Sequence, residues 1–139
     1  MILDLNIQEV IEAVKGEVIV KNNEGNFNKI STDTRKIEKD NLFIALKGAN
    51  FNGNNYAVPA IEKGASVVIV DEIAFKEDEL NNKGTVIKVK DTKTALADLA
   101  RYYRKKLGIK VVGITGSTGK TSTKDLIAAF LSGKYKNIP

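Results

Sequence analysis

LFIALKGANFNGNNYAVPAIEKGASVVIV, residues 42–70, begins and ends with short runs of apolar residues. Because the runs 42–46 and 67–70 are apolar at successive positions, they predict strands that are buried on both faces, as in a parallel sheet covered by helices. Between them we predict a helix over residues 56–63, with a proline near its first turn and a glycine just past its end. Strand, helix and strand make a βαβ unit, so this stretch indicates an α/β fold.

The rest of the chain continues the same alternation of strands and helices. Apolar residues at helical spacing, with Asn6 as the N-cap and Gly16 as the stop, predict a first helix over residues 7–15. Further patterns predict strands at 18–20, 86–89 and 111–115, and helices at 91–107 and 120–131. One strand and one helix after residue 107 cannot close a core. We therefore expect a small first domain over residues 1–90 and the truncated opening of a second over 91–139.

The composition excludes several classes of chemistry. The chain of 139 residues has no cysteine and no histidine, which rules out disulfides, thiolate zinc sites and histidine general bases. The net charge of +5 is spread over the whole chain and aromatic residues make up only 6%, so no nucleic-acid partner is expected. No apolar run reaches the roughly 18 residues of a membrane span. We expect a cytoplasmic monomer without membrane contact.

A turn between the last predicted strand and helix has the composition of a phosphate-binding loop. Its backbone N–H groups and the helix N-terminus would face phosphate oxygens, Lys120 would add a charge, and the Thr121 hydroxyl would ligate Mg²⁺. The usual pattern needs glycine at position 114, where this chain has Ile114. An ordinary strand-to-helix turn is the alternative. The candidate ATP-binding residues are Gly116, Ser117, Thr118, Gly119, Lys120, Thr121 and Ser122.

Two loops that follow predicted strand ends are candidates for binding a second ligand. Thr32, Thr34 and Arg35 offer hydroxyl and guanidinium donors suited to a uracil edge or a diphosphate. Residues 47–53 follow the next strand, and ligands of open α/β sheets bind at the carboxyl ends of strands. The alternatives are a strand-to-loop cap for the first group and a plain surface loop for the second.

Both regions together resemble one known family. Gly-Ser-Thr-Gly-Lys-Thr-Ser, residues 116–122, is similar to the ATP loop of the Mur ligases, which lacks the earlier glycine of the usual pattern. Ser-Thr-Asp-Thr-Arg-Lys at 31–36, with the segments 42–48, 51–53 and 60–65, resembles the N-terminal uridine-nucleotide-binding domain of the same family. The resemblance spans nearly all of the chain. It implies that residues 91–139 open a parallel-sheet ATPase domain with a strand, a phosphate loop and a helix.

The resemblance also implies roles for individual residues. Lys120 and Thr121 would be catalytic, with Thr121 on Mg²⁺, and ATP would bind at 116–122. The residues implied for the UDP-sugar substrate are Thr32, Asp33, Thr34, Arg35, Lys47, Gly48, Ala49, Asn50, Phe51 and Asn52. One departure is Asn52-Gly53-Asn54, where the family usually has Asp-Gly-His; it weakens the expectation of a charged substrate contact at position 52.

The activity implied by the resemblance is ATP-dependent amide ligation in peptidoglycan precursor synthesis, and so in cell wall biogenesis, cell shape and cell division. Lys124-Asp125 and the block 31–36 are most similar to the branch that joins D-alanyl-D-alanine to UDP-N-acetylmuramoyl-tripeptide through an acyl phosphate. The branch that adds diaminopimelate or lysine is the near alternative. A non-catalytic uridine-nucleotide-binding module and a small P-loop kinase or GTPase are the others. Without the later domains of the family, this stretch alone is expected to be inactive.

Overall fold

The computed structural model describes residues 5–48 and 51–108 of the chain. The predicted strand at 111–115, the phosphate-binding turn at 116–122 and the predicted helix at 120–131 therefore lie outside the described residues.

Seven strands and three α-helices make up the described part of the chain. The helices are α1 (Ile7–Val14), α2 (Ala57–Glu62) and α3 (Thr92–Gly108). The strands are β1 (Glu17–Lys21), β2 (Lys29–Ser31), β3 (Asn41–Ile44), β4 (Lys47–Gly48), β5 (Phe51–Asn52), β6 (Val67–Val70) and β7 (Thr85–Lys88). Short 3-10 helices occupy Thr34–Lys36, Gly53–Tyr56 and Glu77–Leu80.

Five of the strands form one sheet in the order β1-β7-β6-β3-β2. The neighbours from β7 to β2 pair in parallel, whereas the edge strand β1 pairs antiparallel with β7. β4 and β5 form a separate antiparallel pair. The α/β class, the parallel sheet and the βαβ unit of β3, α2 and β6 are confirmed. The strand at 18–20 was predicted, whereas its antiparallel pairing at the edge of the sheet was not.

The central strands are covered on both faces, as their sequence predicts. Successive residues of β3 and β6 point to opposite sides. Leu42 and Ile44 belong to one apolar cluster with α1 and α3. Phe43 and Ala45 belong to a second cluster with α2. Every residue of β6 is fully buried, so the sheet lies between two layers of helices.

Helix α3 is part of this core. Its Leu96, Leu99, Ala100 and Tyr103 are buried in the same cluster as β3. The predicted domain boundary near residue 90 stays a prediction, because residues 109–139 lie outside the described part. The packing of α3 shows that this helix belongs to the same core as the sheet.

The N-terminal helix is defined by its caps. Asn6 accepts a hydrogen bond from the Glu9 N–H at 2.9 Å, and Glu9 Oε1 accepts one from the Asn6 N–H at 3.2 Å, which completes the predicted capping box. The helix ends one residue earlier than predicted. Lys15, with φ of 55°, adopts the left-handed conformation that the sequence pattern assigned to the stop at Gly16.

Glu9 also joins α1 to α3. Its Oε2 accepts hydrogen bonds from the Tyr102 hydroxyl at 3.1 Å and from Lys106 Nζ at 2.9 Å. The hydrogen bond from Lys106 is the main reason that the pKa of the Glu9 carboxyl lies below its usual value. The two helices are therefore held together by a carboxylate that must stay ionised to make these contacts.

We expect Glu9→Gln to lower the free energy of unfolding by about 1–2 kcal/mol at neutral pH, since hydrogen bonds to the charged carboxylate are lost. Because the pKa of the Glu9 carboxyl is lower in the folded than in the unfolded state, its ionised form stabilises the fold above the unfolded-state pKa of about 4. This stabilisation is lost as the pH falls through the folded-state pKa. The difference between wild type and variant should therefore shrink below about pH 4. Urea unfolding at several pH values measures it, with the exposed Glu12→Gln as control. A difference that is constant with pH would contradict the assignment.

Gly64 provides a second test of the fold. Its φ of +120° is unfavourable for other residues, and an added Cβ would lie 3.0 Å from the Lys39 Cα. We expect Gly64→Ala to destabilise the chain by about 1–3 kcal/mol in urea unfolding. Glu62→Ala, at an exposed position at the end of the preceding helix α2, should change stability by less than about 0.5 kcal/mol. Equal effects of the two variants would show that the space at Gly64 is not restrictive.

Candidate functional site

The four parallel strands place their following loops along one edge of the sheet. β2 and β3 end side by side, with Ser31 opposite Phe43, and β6 and β7 end beside them. In open α/β sheets ligands bind outside the carboxyl ends of the strands. Both groups of substrate residues predicted from the sequence follow strands that end at this edge. We call it the carboxyl edge.

The loop after β2 presents an arginine held by its neighbour. Asp33 accepts hydrogen bonds from the Arg35 side chain, at 3.1 Å from Nε and 2.9 Å from a terminal nitrogen, and from the Arg35 backbone N–H at 2.9 Å. These bonds lower the pKa of the Asp33 carboxyl to about 2. The Arg35 side chain is 85% exposed, so the guanidinium keeps most of its surface in solvent.

The predicted alternative for this loop, a local cap, is also present. Asp33 caps the 3-10 helix Thr34–Lys36, and its own N–H donates to Ser31 Oγ at 3.2 Å. Lys63 Nζ, just past α2, donates to the Thr34 carbonyl at 2.9 Å. Thr32 and Thr34 are half-buried. The loop is thus fixed in shape while Arg35 stays accessible, an arrangement suited to an anionic ligand.

Lys47, at the start of β4, is paired with two carboxylates. Its ammonium forms an ion pair with Glu72 and lies 3.5 Å from Asp71 Oδ1. The hydrogen bond with Glu72 is the main reason that the pKa of Lys47 is raised. A contact between Lys47 and a substrate stays a prediction, and in this structure its charge is balanced from within the chain.

Asp71 is the most buried charged group at the carboxyl edge. Its side chain is 6% exposed, and this burial by itself raises its pKa. Hydrogen bonds outweigh that effect: Asn54 Nδ2 donates at 2.7 Å and the Thr92 N–H at 3.2 Å, and Lys47 adds a positive charge. The net pKa of Asp71 is lowered, so the group is a carboxylate at neutral pH.

The sequence analysis did not find Asp71, Glu72, Asn54 or Thr92. One signal was available, because Asp71 and Glu72 directly follow the buried run 67–70, where polar residues lie at the carboxyl edge. Asn54 was named only as part of the departure from Asp-Gly-His, and nothing in the sequence indicated its contact with Asp71, 17 residues later.

The structure describes only some of the predicted site residues. Thr32, Asp33, Thr34 and Arg35 follow β2; Lys47 and Gly48 form β4, and Phe51 and Asn52 form β5. Asn52 Nδ2 donates to Glu72 at 3.3 Å. The candidates outside the described residues are Ala49, Asn50, Gly116, Ser117, Thr118, Gly119, Lys120, Thr121 and Ser122.

Residues 5–48 and 51–108 contain no group of three or more acidic side chains that could hold a metal ion. The predicted Mg²⁺ ligand, Thr121, is not among these residues. Nor does any helix in this part of the chain have the length and apolar character needed to cross a bilayer.

The chain matches one protein family over most of its described length. The profile "Mur ligase family, catalytic domain" matches residues 26–104. UDP-N-acetylmuramoyl-tripeptide–D-alanyl-D-alanine ligase from Bacillus subtilis is 40% identical over 94% of this chain. UDP-N-acetylmuramoyl-L-alanyl-D-glutamate–2,6-diaminopimelate ligase from Clostridium perfringens is 35% identical over 90% of it.

A solved structure shares the fold. The crystal structure of MurF from Acinetobacter baumannii superimposes with a TM-score of 0.60 and 27% identity over 73% of this chain. The chain spans 28% of the length of the Bacillus subtilis relative and 21% of the Acinetobacter baumannii protein, so it corresponds to about a quarter of these enzymes. The profile match and the similarity to both kinds of ligase confirm the resemblance of the sequence motifs: the chain belongs to the Mur ligase family.

Proposed function

We propose that the chain is the N-terminal part of an ATP-dependent ligase that adds D-alanyl-D-alanine to UDP-N-acetylmuramoyl-tripeptide. The observation that carries this proposal is the 40% identity with the Bacillus subtilis enzyme of that name, over 94% of the chain. Relatives with the same name from Synechocystis and Rickettsia prowazekii are 39% and 40% identical over shorter stretches.

The UDP-linked substrate is proposed to bind at the carboxyl edge. Arg35 is the most exposed of the paired cations there, and a guanidinium can bind diphosphate oxygens in a bidentate manner. Because the loop of Arg35 is already fixed in shape, less conformational entropy is lost when a ligand binds. The β4–β5 pair follows the neighbouring strand β3 along the chain and offers further backbone groups.

ATP and Mg²⁺ are proposed to bind through residues 116–122. The stretch aligned with the Bacillus subtilis enzyme covers 94% of this chain and so includes this turn. Its amides and Lys120 would hold the phosphates in line, and the Thr121 hydroxyl is a hard oxygen ligand of the kind that Mg²⁺ prefers. The substrate carboxylate would attack the γ-phosphorus and release ADP. The amine of D-alanyl-D-alanine would then displace phosphate from the acyl phosphate to form the amide.

A second candidate is ligation of diaminopimelate. The Clostridium perfringens relative, 35% identical over 90% of the chain, supports it. The two candidates differ in the amine that is accepted and in the UDP-linked peptide that precedes it. Supplying the complete ligase with each pair of substrates and measuring phosphate release distinguishes them.

Arg35→Ala should weaken binding of UDP-N-acetylmuramoyl-tripeptide to the chain by about tenfold or more, because charge-assisted hydrogen bonds are lost and Asp33 is left unpaired. Titration calorimetry measures the affinity. Arg101→Ala is the matched control, since Arg101 is also exposed and also pairs with a nearby aspartate, Asp98. Equal affinity of wild type and Arg35→Ala would remove Arg35 from the proposed site.

Lys120→Ala in the complete ligase should lower the rate of amide formation by a factor of about 10³ or more, because the charge on the transferred phosphoryl group is no longer stabilised. Affinity for the UDP-linked substrate should be unchanged. A coupled assay of phosphate release measures the rate, and the exposed Lys93→Ala serves as control. Normal turnover of Lys120→Ala would refute the role proposed for residues 116–122.

A further inference from the structure

The β4–β5 pair needs support from outside itself. Each strand has two residues, and neither belongs to the five-stranded sheet. A pair this short is not stable alone. One backbone bond ties it to the preceding loop, since the Gly53 N–H donates to the Leu46 carbonyl at 2.7 Å. Further links to the sheet run through side chains.

Asn54 supplies the central link. It is 1% exposed and uses both ends of its amide. Nδ2 donates to Asn52 Oδ1 at 2.9 Å and to Asp71 Oδ1 at 2.7 Å. Oδ1 accepts from the backbone N–H groups of Asp71 and Glu72, at 3.1 and 3.4 Å. Two donors and two acceptor positions are all occupied, so an amide is the group that fits.

Asp71 extends this link to a third segment. Its Oδ2 accepts from the N–H and the hydroxyl of Thr92, the first residue of α3, at 3.2 and 3.3 Å. Glu72, the next residue, holds Lys47 and Asn52, which face each other across the β4–β5 pair. The loop after β6 therefore contacts both short strands through its side chains and connects them to the start of α3.

We propose that Asn54 and Asp71 are positioning residues for the UDP-linked substrate. Both side chains are buried beneath the edge, so they act through β4 and β5 and do not touch the ligand. They hold this pair at the carboxyl edge in the orientation that binds. This inference rests on the proposed function, because it assigns a purpose to the placement of the same site.

The test exchanges the amide and the carboxylate of the buried pair Asn54 and Asp71. Asn54→Asp places a carboxylate where the amide now donates to Asp71, and the double variant Asn54→Asp with Asp71→Asn restores one donor opposite one acceptor. We expect Asn54→Asp to weaken binding of UDP-N-acetylmuramoyl-tripeptide about tenfold, because the competent arrangement is less populated. The double variant should recover most of the affinity. Asp78→Asn, at an exposed position, should bind as wild type does.

Two measurements separate positioning from stability alone. Calorimetric affinities are taken at a temperature where each variant is fully folded, so a purely structural role would alter the unfolding free energy and leave the affinity unchanged. Amide hydrogen exchange by NMR should rise about tenfold at residues 47, 48, 51, 52 and 53, and stay unchanged in β3 and β6. Wild-type affinity of Asn54→Asp overturns the proposal, and so does wild-type exchange in the five amides.

Glu72→Ala keeps the test decisive if Asn54→Asp does not fold. Glu72 is 51% exposed, and its removal takes one partner from each of Lys47 and Asn52 without opening the core. We expect about a threefold loss of affinity and faster exchange in the same five amides. An unchanged affinity overturns the proposal, and so do unchanged exchange rates. If wild type binds no UDP-linked substrate, the proposed function fails. The exchange data then still report whether the buried pair holds the short strands.

Discussion

The architecture depends on the burial of both faces of β3 and β6. All eight residues of these two strands are at most 2% exposed, and seven of them are apolar. Strands of this kind can only be covered by a layer on each side, which α1 and α3 provide on one face and α2 on the other. Because α2 crosses over one face, the two strands run in the same direction and their carboxyl ends meet at one edge.

That edge combines a rigid base with an accessible charge. Asp71 is an ionised carboxylate with little solvent contact, and its cost of burial is met by Asn54, Thr92 and Lys47. Arg35, by contrast, lies in solvent with one carboxylate at its side. The contacts of Asp71 fix the loops, whereas Arg35 can exchange its partner Asp33 for another anion. A nucleotide-sugar site benefits from both, since a preorganised loop binds at lower entropic cost.

The kinship with Mur ligases gives these observations a context. The profile match covers residues 26–104, which include the carboxyl edge and most of α3. The two relatives are ligases of different specificity, and the names of both include a UDP-N-acetylmuramoyl group. Helix α3 shares the core of this unit and precedes the predicted ATP-binding turn in the sequence, and Asp71 contacts both Lys47 of β4 and Thr92 at the start of that helix.

The pattern of residues 42–70 was sufficient to predict the βαβ unit, because consecutive apolar residues indicate strands that are buried on both faces. The capping box of α1 could also be predicted from the sequence, since it depends on residues three positions apart. The two-residue strands β4 and β5 were not predicted, and for β2 the sequence indicated only a strand end before Thr32, because such short strands exist only through their partners. The sequence alone thus determined the fold class and the family motifs. Only the tertiary structure decided that Asn54, Asp71 and Thr92 meet, because parallel crossovers bring strand ends together whatever their separation along the chain.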